Sequence, residues 1–376
     1  VTTSDGPLAV VHVLDALTDA GPGLWGKERV VAHLIEAQRA SGRYAPSVAV
    51  FVDCSLATVA RERGFPVHVL EKTHRRLPVG GSEKLRVVLS RAPAPMLVHS
   101  HEYKANVVAR LLRRTGAPMR ALVSTSHAWF DDTKALAAYN VLDRVTAFAS
   151  DAQTVADRAM IERFPRGTRA EFVANGLPDR TPPTDAERAS AREEFGVPPE
   201  RFVAGYLART SIAKGVGVFC DAARASGDAQ LLWTVAGSGD RADIARDANL
   251  ANLRYIGFTD RSDAYRAAID CYVQASYVEG LSLSLLEAMR AGLPIVATDA
   301  GSTSFAVRDG IEGLIVPPGD VAALATAVRR IASDAELARR LGGAARERFV
   351  STFSIARQVD AFGDVYAAAI ATRREA

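Results

Sequence analysis

Strand-like apolar runs alternate with helix-like segments along almost all of this 376-residue chain, and that alternation constrains the fold more than any other feature. Short runs of Val, Ile and Leu, bounded by turns and separated by helical stretches, are the pattern of parallel βαβ units with sheets buried on both faces. In the first half the expected strands are Leu8–Val13, Val48–Val52, Val67–Leu70, Met96–Ser100, Ala121–Thr125, Val145–Ala149 and Glu171–Ala174. The second half offers Phe202–Tyr206, Leu231–Ala236, Leu253–Ile256, Cys271–Ala275, Pro294–Ala297 and Leu314–Val316. Between the two sets stands Gly176-Leu-Pro-Asp-Arg-Thr-Pro-Pro-Thr184, the most Pro-rich window and the expected linker. The fold class expected is therefore α/β: two Rossmann-like doubly wound domains, residues 1–178 and 179–353, and a last helix over 354–376. The chain is long enough to bury two such cores. Ligands of doubly wound domains bind outside the carboxyl ends of the strands, so a cleft between the two sets of strand ends is the expected site.

Charge and cysteine usage narrow the function classes. With 46 basic and 43 acidic residues there is no overall nucleic-acid signature. Residues 71–120 are unbalanced, holding eleven Lys/Arg against three acids. That window reads either as an ordinary solvated surface or as a patch for peripheral contact with an anionic membrane. Cys54, Cys220 and Cys271 have no paired spacing, which suits a reducing cytoplasm and excludes a disulfide framework or zinc motif. No apolar stretch has the length of a membrane span, and the N-terminus is not read as a signal peptide.

The richest local chemistry lies in Glu279-Gly-Leu-Ser-Leu-Ser-Leu-Leu-Glu287. It follows the apolar run Cys271–Ser276, and Ser282–Arg290 reads as a helix, so Glu279 falls in a strand-to-helix turn and Glu287 inside the helix. The unpaired N–H groups of a helix start cradle phosphate. Two carboxylates flanking such a cradle suit a ligand with hydroxyls at both ends and phosphate between them, as in a nucleotide sugar. Arg209 and Lys214 follow the first strand of the second half, where both could reach one pyrophosphate. His127 ends the strand Ala121–Ser126, while His99 and His101 end Met96-Leu-Val-His-Ser-His; His99 reads as a core residue. No Asp-x-Asp and no His/Cys/carboxylate cluster with metal-ligand spacing occurs, so a metal-free, cofactor-free site is expected.

Together these motifs make the chain resemble the family-4 retaining glycosyltransferases (glycosyl transferases group 1) of the GT-B fold. The resemblance is strongest over Arg254–Asp320, through Arg254-Tyr-Ile-Gly-Phe-Thr-Asp260, the Glu-x7-Glu element, Gly292-Leu-Pro-Ile-Val-Ala-Thr298 and Gly313-Leu-Ile-Val-Pro-Pro-Gly-Asp320. It implies a hexosyltransferase in which Arg209 and Lys214 hold the donor pyrophosphate and Glu287 holds the ribose hydroxyls. It further implies that Glu279 and His127 bind the donor sugar, and that the backbone from Gly280 through Leu281, Ser282, Leu283 and Ser284 holds sugar and phosphates. Thr259 would face the base and Gly26 would belong to a loop near the phosphates. The last helix would pack back on the first domain. Three positions depart from the family pattern: Trp25 in place of a loop glycine, Ser282 where Gly is common, and Phe305 where Glu is common. A uridine nucleotide is the expected donor carrier. The acceptor (lipid-linked, glycan or small molecule) would bind the first domain near His101, Glu102, His127, Trp129, Phe130, Arg75 and Arg76.

A rival reading rests on Gly21-Pro-Gly-Leu-Trp-Gly26, which matches the dinucleotide fingerprint G-x-G-x-x-G, with Asp53 as the ribose acid of an NAD-dependent oxidoreductase. Seven residues separate this loop from its strand, where the fingerprint opens directly off the strand. A nucleotide-sugar-binding protein or epimerase on the same fold is a further alternative.

Overall fold

A computed structural model describes residues 6–15, 24, 26–71, 79–127, 134–228 and 230–375. The chain forms two compact units, residues 1–178 with 355–376, and residues 179–354. No helix among the described residues is long and apolar enough to cross a membrane.

The first unit is built on seven strands: β1 (Leu8–Leu14), β2 (Tyr44–Val50), β3 (Val67–Val69), β4 (Met96–His101), β5 (Met119–Ser126), β6 (Ala152–Val155) and β7 (Ala170–Phe172). They form one parallel sheet in the order β3-β2-β1-β4-β5-β6-β7. Helices α1 (Gly26–Ala40), α2 (Ser55–Glu62), α3 (Val79–Arg91), α4 (Tyr103–Arg114) and α5 (Lys134–Val145) connect them. Because side chains alternate along a strand, each face has its own core. Val11, Val13, Val98 and Leu122 pack with Leu85, Leu89, Val108 and Leu112 of α3 and α4. Leu8, Val10, Leu97 and Val123 pack on the opposite face with Leu34 of α1 and with Val359, Phe362 and Tyr366 of the C-terminal helix Ile355–Glu375.

One expected strand is absent. Val145–Ala149 is the end of α5 followed by a 3-10 turn, Ala147–Ala149, and the strand at this sheet position is Ala152-Gln-Thr-Val155. Its polar pair, Gln153 and Thr154, is buried because the Arg110 guanidinium donates to Gln153 at 2.6 Å and Thr154 bonds Thr125 at 2.6 Å. Polar groups bury without a large cost only when so paired, and the partners come from other elements.

The second unit opens with α6 (Asp185–Glu194), started by a capping box between Thr184 and Glu187. Its six-stranded parallel sheet has the order β10-β9-β8-β11-β12-β13, from β8 (Phe202–Leu207), β9 (Leu231–Ala236), β10 (Leu253–Gly257), β11 (Cys271–Gln274), β12 (Ile295–Thr298) and β13 (Gly313–Val316). Helices α7 (Val216–Ser226), α8 (Ala242–Arg246), α9 (Ser262–Ala268), α10 (Leu283–Arg290), α11 (Thr303–Ala306), α12 (Val321–Ala332) and α13 (Ala335–Arg348) flank it. Trp233, Phe219, Val273, Leu324, Val328 and Leu341 lie in its main core. Each sheet reverses its strand order once, between β1 and β4 in the first unit and between β8 and β11 in the second. These topological switch points are where ligands of doubly wound sheets bind.

Candidate functional site

At the switch point of the second unit the ends of β8 and β11 are locked together by backbone. Gly215, at φ +68°, sits so close to β11 that a Cβ there would lie 1.8 Å from the Ala275 carbonyl oxygen. Only glycine fits both the left-handed conformation and the contact. The amides of Tyr277 and Val278 donate to the Ala213 carbonyl at 2.9 and 3.3 Å. This seam places Lys214 against Glu279: Nζ donates to Oε2 at 2.7 Å, while Ser276 Oγ donates to Oε1 at 2.7 Å. The Glu279 side chain is 7% exposed and that of Lys214 is 32% exposed, so the carboxylate is sunk in the turn and the ammonium stands at its mouth. From the other side Gly301, at φ +56°, lets its backbone approach the Glu279 carbonyl, where a Cβ would come within 1.9 Å.

Glu279 leads into Gly280, buried Leu281, and α10. Ser282 is the N-cap of that helix, its Oγ accepting from the Leu285 amide at 3.4 Å. Its hydroxyl oxygen is thus engaged in capping, which explains why a serine serves at this position as well as glycine. Ser284 donates to the Leu207 carbonyl at 2.9 Å, tying the first turn of α10 to the end of β8. Leu283 and Ser284 are the first residues of the helix, whose amides have no partner within it. Arg209, just past β8, is largely exposed, with Asp240 4.0 Å away. Thr259 lies beyond the end of β10, accepting from the Arg261 amide at 3.0 Å.

Glu287 is on the buried side of α10, and Arg266 of α9 donates to its Oε2. Arg266 is itself buried and also contacts Asp263 at 3.1 Å, and Arg290 meets the same Asp263 at 2.8 Å. This cluster escaped the sequence reading: Arg266 and Asp263 carry no motif, and only the packing of α9 beside α10 assembles them. Phe305 stacks edge-on against Phe353, with ring centroids 5.8 Å apart, and has a packing role.

In the first unit, His127 follows β5 at the sheet's carboxyl edge. Its amide donates to Glu102 Oε1 at 3.0 Å. Glu102 is a buried non-glycine residue at φ +74° and ψ 163°, a region costing of order 1–3 kcal/mol for an L residue. The His127 ring touches His101, with Nε2 3.1 Å from its Nδ1. Desolvation, helped by the Lys27 ammonium, lowers the His127 pKa to about 3, so the ring is neutral. His101 and Glu102, expected near the acceptor, are buried and engaged in these bonds. Trp129, Phe130, Arg75 and Arg76 lie outside the described residues, as do Trp25 and the loop glycines 21 and 23; Gly26 is the first residue of α1.

The basic window is also partly spent inside the unit. Lys104 is buried 3.3 Å from Asp15, Arg110 is buried 3.0 Å from Asp143, and Arg113 grips Asp151 at 2.7 Å. No metal-ligand grouping is legible in the residue spacing, yet the sheet brings nitrogens of His12, His99 and His101 within 4.8 Å of one another. Every one of their ring nitrogens already has a protein hydrogen-bond partner. Asp53, the acid of the dinucleotide reading, pairs with Arg61 at 2.9 Å.

Comparison with known proteins agrees with the second unit's chemistry. Residues 187–348 match the family model described as glycosyl transferases group 1. The chain is 30% identical over 311 residues to the D-inositol 3-phosphate glycosyltransferase of Saccharomonospora viridis, covering 74% of this chain and 71% of that one. It is 31% identical over 261 residues to the alpha-maltose-1-phosphate synthase of Mycobacterium tuberculosis, covering 63% and 65%. Among solved structures, Anabaena HepE in complex with UDP superposes with a TM-score of 0.81 at 18% identity, covering 96% of this chain and 99% of that one.

Proposed function

The chain belongs to the glycosyl transferases group 1 family, and from that premise we propose that it moves a sugar from uridine diphosphate to an acceptor hydroxyl with retention at the anomeric carbon. The observation that carries this reading is the Lys214–Glu279 pair at the switch point of the second unit, beside the start of α10. In this reading the carboxylate takes hydroxyls and the ammonium takes phosphate, and the backbone seam between the two turns that carry them leaves little to reorganise. HepE has been solved with UDP and with UDP-glucose, which supports the choice of nucleotide.

In this reading Arg209, Lys214 and the first amides of α10 hold the pyrophosphate, and the backbone of Gly280–Ser284 completes the cradle. Glu287 takes the ribose hydroxyls. Thr259 lies toward the base, Glu279 binds a hydroxyl of the donor sugar, and His127 bonds the sugar near the reacting carbon. The bond between the anomeric carbon and the phosphate oxygen breaks as the acceptor oxygen attacks from the same face. The departing phosphate oxygen takes the acceptor's proton. Negative charge grows on the pyrophosphate during this step, and the fixed cations and amides stabilise it without calling for a divalent ion.

A thermal-shift panel of nucleoside diphosphates and their sugars tests the donor assignment, since a ligand that binds only the folded state raises Tm. Uridine nucleotides should shift the transition and NAD should not; the opposite result would replace this reading with the dinucleotide one. Transfer is then measured with lipid-linked, glycan and small-molecule acceptors, D-inositol 3-phosphate included. Activity should survive excess chelator, and a loss restored by Mg²⁺ would end the metal-free account.

A further inference from the structure

Four histidines of the first unit lie on one face of its sheet because they keep the strand's period of two. His12 in β1 is in register with His99 in β4, His101 is in register with Thr125 in β5, and His127 continues that face of β5. The same face is covered by α1, which supplies Gln38, and by the C-terminal helix, which supplies Tyr366. These side chains form one continuous file of hydrogen bonds. His127 Nε2 lies 3.1 Å from His101 Nδ1, His101 Nε2 lies 3.0 Å from His12 Nδ1, and His12 Nε2 lies 2.8 Å from Gln38 Oε1. Gln38 Nε2 is 3.0 Å from the Tyr366 hydroxyl, which is 2.7 Å from His99 Nδ1. His99 Nε2 is 2.7 Å from Thr125 Oγ1, Thr125 is 2.6 Å from Thr154 Oγ1, and Thr154 is directed at the Ser124 carbonyl, 3.5 Å away.

An amide nitrogen only donates and an amide oxygen only accepts, so Gln38 gives the file a direction. Its Nε2 donates to the Tyr366 hydroxyl, which donates in turn to His99 Nδ1, so that His99 Nε2–H donates to Thr125. The Gln38 oxygen accepts from His12 Nε2–H. His12 Nδ1 accepts from His101 Nε2–H, and His101 Nδ1 accepts from His127 Nε2–H. We infer that His12, His101, Gln38 and Tyr366 are positioning residues that fix His127 as its Nε2–H tautomer, so that Nδ1 of His127 is a hydrogen-bond acceptor for a substrate hydroxyl. The tautomer assignment stands on geometry alone; its bearing on catalysis rests on the reading of His127 given above. Burial holds the rings neutral, His12 to about 4 and His99 and His101 well below the ordinary histidine value, so no step of the file is lost to protonation near neutral pH.

The test is a long-range ¹H–¹⁵N correlation spectrum of histidine-labelled full-length protein, with His127 assigned by its loss in His127→Asn. Wild type should show His12, His99, His101 and His127 as neutral Nε2–H tautomers at pH 7. Tyr366→Phe removes one hydroxyl four hydrogen bonds from His127. It frees Gln38 to turn, and His127 should become a mixture of tautomers. With a transferase assay in hand, the same variant should lose at least about twofold in kcat, the loss an even mixture of tautomers gives, with unchanged Kd for UDP. A His127 ring carrying its proton on Nδ1, a charged ring at pH 7, or stoichiometric zinc held by these histidines in wild type would overturn the inference. So would an unaltered His127 signal in folded Tyr366→Phe, or in Gln38→Met should that variant fail to fold. A file that behaves as described in a protein without transferase activity would uphold the tautomer assignment and overturn the proposed function instead.

Discussion

Lys214 and Glu287 separate binding from chemistry at the scale of single residues. Lys214 stands at the mouth of the switch point, and in the proposed reaction charge grows there only as the leaving group departs, which assigns its contribution to the transition state. Lys214→Ala should lower kcat by on the order of 10²-fold, a loss of about 3 kcal/mol, while UDP affinity measured by calorimetry falls far less. Equal losses in both would make it a plain binding residue. Glu287→Gln keeps the shape beside buried Arg266 and should weaken donor binding, raising KM with kcat nearly unchanged. An unaltered KM would remove Glu287 from the ribose. Ser282, which departs from the family's glycine, spends its oxygen on the α10 N-cap, and Ser282→Gly should cost only a few tenths of a kcal/mol.

At the scale of elements, two turns carry the sites. Gly215 permits the crossing of the β8–α7 loop over β11, and Gly215→Ala meets both a left-handed φ and the Ala275 carbonyl. A loss on the order of 2–4 kcal/mol is expected from urea unfolding of that variant. Glu102 holds the β4–α4 turn in a conformation that suits glycine, at the point where its carboxylate receives the His127 amide. Glu102→Gly and Glu102→Ala both delete the carboxylate, so their difference isolates the backbone. The glycine variant should be the more stable by about 1–3 kcal/mol, and equal stabilities would show that the turn is unstrained. The element misread from sequence has a related cause. Val145–Ala149 looked like a strand from its composition, whereas Ala152–Val155 hid its strand character behind Gln153 and Thr154, whose partners Arg110 and Thr125 lie on other elements.

At the scale of the molecule, all seven histidines fall in the first unit and none in the second. His12 and His127 have folded pKa values lowered to about 4 and about 3, and His99 and His101 are lowered as well, chiefly by desolvation. An unfolded chain titrates its histidines near 6.5. Below that value the unfolded state binds more protons, so the stability these rings contribute is complete above about pH 6.5 and is lost as pH falls toward 4. The slope is about 1.4 kcal/mol per pH unit for each ring. Hydrogen exchange, corrected for its intrinsic pH dependence, should show β1, β4 and β5 losing protection between pH 7 and 5.5 while β8 and β11 keep theirs. Equal loss in both units would refute this. The parallel α/β class, most of the strands, the family, and the Glu279–Glu287 element with Arg209 and Lys214 are legible from the residues, because apolar periodicity and helix-start chemistry are local. Tertiary structure alone decided that Lys214 meets Glu279, that Arg266 takes one oxygen of Glu287, and that His12 joins His101 from 89 residues away. Those pairings depend on strand order and register, which neighbouring residues do not encode, and a hydrogen-bond file acquires its direction only when every partner along it is in place.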